Sequence, residues 1–156
     1  METESSLRGD EKRQRVSERA ARKRGSIRAL IVNDSPFVVR SVGLFLKGQK
    51  GVEVVGSAAN GQEAVQRVAV LRPDLVMMDV RMPEMDGLEA TRRIKRRRAL
   101  PVVIIFALED SEGCRLAAKT AGADAFVGKV AKGVSRWRAA IRRAFPGVTG
   151  RESEPH

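Results

Sequence analysis

The sequence predicts an α/β fold in which five parallel strands form one doubly wound sheet. Short apolar runs rich in β-branched residues recur along the chain, and amphipathic stretches of helical period lie between them. Strands that alternate with helices are typical of β/α units with right-handed crossovers. The chain has 156 residues, of which 42% are hydrophobic, enough for the core of a single domain. The predicted strands are residues 27–32, 52–57, 75–79, 102–106 and 125–127.

Helices are predicted between these strands at residues 36–47, 62–71, 88–97, 111–121 and 132–144. Ser35 followed by Pro36 is a typical N-cap with proline at the first helical position. Gly122 stands where the fourth helix should end before the last strand. Two pairs have the spacing of capping boxes: Asn60 with Glu63, and Asp86 with Glu89.

All of the periodic apolar pattern lies in residues 26–145, which we take as a single domain. Residues 1–25 are rich in Arg, Lys and Glu and poor in large apolar side chains, so we expect a basic, disordered arm. Residues 146–156 contain Pro and Gly breakers and are expected to form a flexible tail. We expect no second folded domain, and hence no attached output module.

Charge and cysteine content limit the classes of function. The formal net charge is +11 and the pI is near 11.0, which favours acidic partners without naming them. The single cysteine, Cys114, excludes an internal disulfide framework and fits a reducing compartment. The longest apolar run, residues 102–108, is too short to span a bilayer, and the charged N-terminus lacks a signal core. We therefore expect a cytoplasmic protein without membrane insertion.

Polar side chains end two of the predicted strands. Asp79 closes the run at 75–79, and Asn33 and Asp34 follow the run at 27–32. Ligands of open α/β sheets bind beyond the carboxyl ends of the strands. Two strands that end in carboxylate or amide groups therefore predict a divalent-cation pocket, although the pattern alone does not fix the strand order.

These segments resemble the receiver domain of two-component response regulators. The resemblance covers nearly all of residues 26–145. It implies the flavodoxin-like strand order 2-1-3-4-5, which makes the first and third strands neighbours. Beyond the strand ends it rests on four short motifs: Pro73-Asp74, Met82-Pro83, Asp86-Gly87 and Ala121-Gly122-Ala123.

The resemblance also implies a set of site residues. Asp79 stands where the family is phosphorylated, and Lys129 matches the lysine that contacts the phosphoryl group. Mg²⁺ would be held by Asp34, Asp79 and the main-chain carbonyl of Arg81. Asn33 replaces the second aspartate that the family most often has, and would act through a bound water. The phosphoryl donor would be a histidine kinase or a phosphotransfer protein, and the domain would catalyse only its own phosphorylation and dephosphorylation.

Three positions depart from the family pattern. Phe106 stands where relatives carry the Thr or Ser whose hydroxyl bonds the phosphoryl group, so transmission of phosphorylation is expected to be poor. Its ring would also bring bulk beside the acceptor. The alternative is that Phe106 is simply a core ring and that the site has decayed. Phe126 occupies the aromatic switch position, often Tyr in relatives, and the chain has no Tyr. Val130 replaces the proline that usually follows the lysine.

Three classes of function follow. The favoured one is a phosphorylation-controlled protein-interaction switch with an unidentified downstream protein. The second is a degenerate receiver that binds a partner constitutively because of Phe106. A haloacid dehalogenase-like phosphohydrolase is set aside, because Arg81 stands where that family needs a second aspartate.

The basic clusters, Arg92–Arg98 and those of the last helix, are interpreted first as solvated helix surface. An acidic protein partner is the alternative. Contact with nucleic acid is not favoured because no DNA-reading motif is present, and homodimerisation is left open.

Overall fold

The computed structural model describes residues 25–97, 101–108, 110–128 and 133–146. All ten predicted elements are present, and most of their ends fall within one residue of the prediction. The predicted arm and tail lie outside the described residues, apart from Gly25 and Pro146. The elements are β1 (Ile27–Val32), α1 (Pro36–Lys47), β2 (Val52–Ala58), α2 (Gly61–Leu71), β3 (Leu75–Asp79), α3 (Gly87–Arg97), β4 (Val102–Ala107), α4 (Glu112–Ala121), β5 (Ala125–Gly128) and α5 (Gly133–Ala144).

The five strands are all parallel and follow the order β2-β1-β3-β4-β5, which confirms the predicted order. In this register Val32 of β1 pairs with Met78 of β3, and Asp79 pairs with Phe106 of β4. The carboxyl ends of β1 and β3 therefore meet at one edge of the sheet, where the two predicted polar strand ends lie next to each other.

Each face of the sheet carries its own apolar core. One face packs against α1 and α5 through Ile31, Met77, Ile104 and Ile141, all 1% exposed or less. The other face packs against α2, α3 and α4 and includes Val32, Met78, Ile105, Ala64, Ile94 and Ala118. Burial on both faces explains why the strands read as continuous apolar runs. No helix in the described part of the chain combines the length and apolar content needed to cross a membrane.

The predicted helix caps are confirmed. Ser35 Oγ accepts a hydrogen bond from the Val38 backbone N–H, at 3.4 Å. Gly122 ends α4 in the left-handed conformation, with φ of 98°, which glycine adopts without a Cβ penalty. Two side chains accept from the third residue of their helices at 2.8 Å, as in capping boxes: Asn60 from Glu63, and Asp86 from Glu89.

Gly87 begins α3 directly against the end of β3. Its backbone N–H donates to Val80 O at 2.9 Å, and a Cβ added here would overlap the Asp79 carbonyl oxygen. We expect Gly87→Ala to lower the free energy of unfolding by at least about 1–3 kcal/mol, because backbone must move to admit the methyl group. Urea unfolding measures the loss.

Gly43, inside α1, is the matched control. An added Cβ there meets only Ile31 Cδ1, at an ordinary contact distance of 3.6 Å. Gly43→Ala is expected to stabilise the protein by about 0.5–1 kcal/mol through its higher helix propensity. Equal effects of the two substitutions would contradict the close approach of Gly87 to Asp79.

Candidate functional site

A cavity of about 540 Å³ opens at the carboxyl edge of the sheet, between the loops that follow β1, β3 and β4. Its polar wall contains Asn33, Asp34, Asp79 and Arg81. The rest of the lining is mostly apolar and includes Val38, Leu88, Ala107, Leu108 and Ala117. The structure thus brings four of the site residues predicted from the sequence to a single cavity.

Asp79 is the last residue of β3 and is 7% exposed. Its Oδ1 accepts a hydrogen bond from the Val80 backbone N–H at 2.9 Å, which fixes the carboxylate against its own loop. Asp34 lies on the loop after β1 and is exposed, so solvent reaches the site from that side. A buried and an exposed carboxylate share the polar wall.

Lys129 and Val130 lie outside the described residues. The remaining predicted ligand, Arg81, lines the cavity on the loop that follows β3. No group of three or more His, Cys, Asp or Glu side chains suited to a metal is found in the described ranges. A cation bound here would therefore take further oxygens from main chain, water or phosphate.

Asn33 is buried at 3% exposure and forms a turn that leads into α1. Its Oδ1 accepts from the Ser35 backbone N–H at 2.8 Å, and its own N–H donates to Ala58 O at 3.0 Å. Sequence reasoning gave Asn33 only a role through water and missed this turn. The Asn-Asp-Ser-Pro sequence could have predicted the turn, because an asparagine side chain commonly forms a hydrogen bond with the backbone two residues further along the chain.

Phe106 is fully buried on the face of the sheet that packs against α1 and α5. Its ring packs edge-on against Trp137, with centroids 5.4 Å apart, and Trp137 packs in the same manner against Phe45 at 5.6 Å. The described lining of the cavity includes its neighbours Ala107 and Leu108 but not Phe106. The ring therefore fills the core together with Trp137.

Phe126, at the predicted switch position, is half-buried beneath Arg115, whose guanidinium carbon lies 5.5 Å from the ring centre. Asp110 holds Arg115 through two hydrogen bonds of 2.6 and 2.9 Å, and Arg136 of α5 approaches Asp110 at 3.5 Å. The hydrogen bonds from Arg115 lower the pKa of Asp110, and in turn raise the pKa of Arg115. An ionic cluster thus connects Asp110, on the loop after β4, with Phe126 of β5.

Part of the basic charge on α3 is compensated locally. Arg92 and Arg93 both pair with Glu89, at 3.1 Å, and Lys95 pairs with Asp124 at 2.6 Å. Lys95 also donates to Pro101 O at 2.8 Å, so this cation ties α3 to the start of β4. These contacts favour the interpretation of the cluster as helix surface, although Arg96 and Arg97 remain exposed.

A five-stranded parallel sheet of order 2-1-3-4-5, with two carboxylates in one cavity at its carboxyl edge, has the architecture expected of a receiver domain. The family described as the response regulator receiver domain matches residues 29–141, and the chain belongs to this family.

Curated relatives include protein-glutamate methylesterase/protein-glutamine glutaminases. The one from Alkalilimnicola ehrlichii is 47% identical over 105 residues, which are 66% of this chain and 27% of that protein. The one from Bacillus subtilis is 36% identical over 110 residues, 70% of this chain and 31% of that protein. The chain thus spans about a quarter to a third of the length of these relatives.

Solved receiver structures have the same fold. The response regulator domain of Thermotoga maritima CheB superposes with a TM-score of 0.70 at 30% identity, covering 76% of this chain and 96% of that one. A response regulator of the LuxR family from Aurantimonas gives 0.72 at 28% identity, with coverages of 76% and 85%. CheY in the Borrelia burgdorferi CheX-CheY-BeF3-Mg complex gives 0.69 at 25%, with coverages of 75% and 87%.

Proposed function

We propose that this receiver accepts a phosphoryl group on Asp79 and uses it as a protein-interaction switch. The observation that carries the proposal is the placement of Asp79, buried at the end of β3 and in one cavity with Asp34. A carboxylate oxygen of Asp79 would attack the phosphorus of a phosphohistidine, and the P–N bond would break with its electron pair returning to the imidazole nitrogen. The product is an acyl phosphate on Asp79 and a free histidine on the donor.

The polar wall fits a magnesium ion. Asp34 and Asp79 supply two carboxylates, and the main-chain carbonyl of Arg81 could supply a third oxygen, which is the donor chemistry that Mg²⁺ prefers. When bound, Mg²⁺ would neutralise charge that builds up on the phosphoryl oxygens. The solved complex of a similar receiver contains Mg²⁺ and BeF3, which supports the proposal of a magnesium site.

Lys129 is proposed as a second positive charge on the phosphoryl group, following the family motif. The donor is proposed to be a histidine kinase or a phosphotransfer protein, and the chain to act in the cytoplasm. It would catalyse only its own phosphorylation and dephosphorylation. The activity of the methylesterase relatives is not carried over to this chain, which covers only 27% and 31% of their length.

Intact-mass spectrometry with acetyl phosphate tests the proposal. The wild-type protein is expected to gain the mass of one phosphoryl group in the presence of Mg²⁺. A chelator should suppress the adduct, because the charge on the donor is then unscreened, and mild alkali should remove it, as it removes an acyl phosphate. A protein that remains unmodified at saturating donor and Mg²⁺ would contradict the proposed function.

A further inference from the structure

The orientation of the Asn33 amide is fixed by the chemistry of its neighbour. Its side-chain oxygen accepts from the Ser35 backbone N–H at 2.8 Å. A backbone N–H can only donate, so the atom facing it must be Oδ1, and Nδ2 must lie on the other branch of the amide. The polar group that Asn33 still has to offer is therefore a donor, not an acceptor.

Nδ2 has no hydrogen-bond acceptor among the residues that the structure describes, although Asn33 as a whole is 3% exposed. Within the same residues, the single fully buried side-chain polar atom without a partner is Trp137 Nε1. Nδ2 must therefore reach accessible space. A donor that reaches accessible space is available to water or to an oxygen of a bound ligand.

The strand register places Asn33 beside Asp79. Val32 pairs with Met78, so Asn33, one residue on, lies opposite Asp79 across neighbouring parallel strands. Such strands are about 4.8 Å apart, and residues in register direct their side chains to the same face. Both side chains line the 540 Å³ cavity. A group attached to the Asp79 carboxylate would carry its oxygens within reach of the Asn33 amide.

We propose that Asn33 donates through Nδ2 to an oxygen of the phosphoryl group on Asp79, an inference that rests on the proposed function. Phe106 has no hydroxyl to make such a bond, and its ring is buried against Trp137. Asn33 supplies a neutral donor from the neighbouring strand instead. An aspartate at this position, which relatives most often have, could only accept and would not make this bond.

Asn33→Asp is the sharpest test, because it keeps an oxygen for the Ser35 N–H and replaces only Nδ2. Calorimetry would measure two affinities: that for Mg²⁺ alone, and that for beryllofluoride, a phosphoryl mimic, at saturating Mg²⁺. We expect Asn33→Asp to bind Mg²⁺ more tightly but beryllofluoride about 10- to 100-fold more weakly, the loss typical of a hydrogen bond to a charged group. Asn60→Asp, the same change at a helix cap, should leave both affinities unchanged.

A second variant separates this role from the effect of an added charge. Asn33→Ala removes Nδ2 without adding a carboxylate, and it is expected to weaken beryllofluoride binding at saturating Mg²⁺ by a similar factor. If either variant binds beryllofluoride as tightly as the wild type at saturating Mg²⁺, Asn33 does not donate to the phosphoryl group. This inference is then wrong, while the proposed function still stands. If the wild type itself binds none, the proposed function fails with it.

Discussion

Asp79→Asn is expected to take up no phosphoryl group from acetyl phosphate, under conditions in which the wild type is labelled. An amide is a poor nucleophile towards phosphorus, and the substitution keeps both the shape and the acceptor for the Val80 N–H, 2.9 Å away. The expected effect is the complete loss of the alkali-labile adduct in intact-mass spectra. Folding should be preserved, because no buried apolar contact is removed.

Asp86→Asn provides the matched control for this loss. Asp86 lies on the same loop, but it caps α3 by accepting from the Glu89 N–H at 2.8 Å, and it does not line the cavity in the structure as described. An asparagine can make the same cap. Labelling of Asp86→Asn should equal that of the wild type. If Asp79→Asn were still labelled stoichiometrically, the phosphoryl acceptor would have to be another residue.

Phe106→Thr should have the largest effect on stability and, at the same time, improve the response to phosphorylation. The ring is fully buried and packs on Trp137 at 5.4 Å, so its removal leaves a void lined by core residues. We expect the free energy of unfolding to fall by about 3–5 kcal/mol, the range for loss of a buried phenyl group. The restored hydroxyl should bond the phosphoryl group and strengthen the change transmitted to α4 and α5.

Phe106→Leu separates these two effects, because leucine fills much of the same space without a hydroxyl. Its cost should stay below about 1.5 kcal/mol. Hydrogen exchange of α4 and α5, compared at equal phosphoryl occupancy, measures the transmitted change. Only Phe106→Thr should exceed the wild type. A wild-type response as full as that of Phe106→Thr would show that the chain switches by another route.

Most of the fold could be predicted from the sequence because its signals are local. The apolar run that ends at Asp79 and the cap at Ser35 depend on residues a few positions apart, and both predictions are confirmed. The strand order did not follow from periodicity, since any order buries the same runs. It came from the family resemblance, which the register of β1 against β3 confirms.

The environment of the site was harder to predict, because it depends on contacts between residues that are distant in the sequence. The pattern left open whether Phe106 crowds the acceptor or fills the core, since the answer depends on Trp137 in α5, 31 positions later. The bond between Asp110 and Arg115 beside Phe126 was missed for the same reason. The roles of Asp79, Asp34 and Lys129 remain predictions.

The position of Trp137 gives the protein an optical probe of its own. The chain has one tryptophan and no tyrosine, so all of its indole emission comes from this residue. The indole N–H is buried and has no hydrogen-bond partner among the described residues. The ring packs against Phe106, which pairs with Asp79 in the register of β3 and β4. Its emission wavelength should therefore be that of an apolar site, and any shift of α5 against the sheet could be followed by fluorescence without an attached dye.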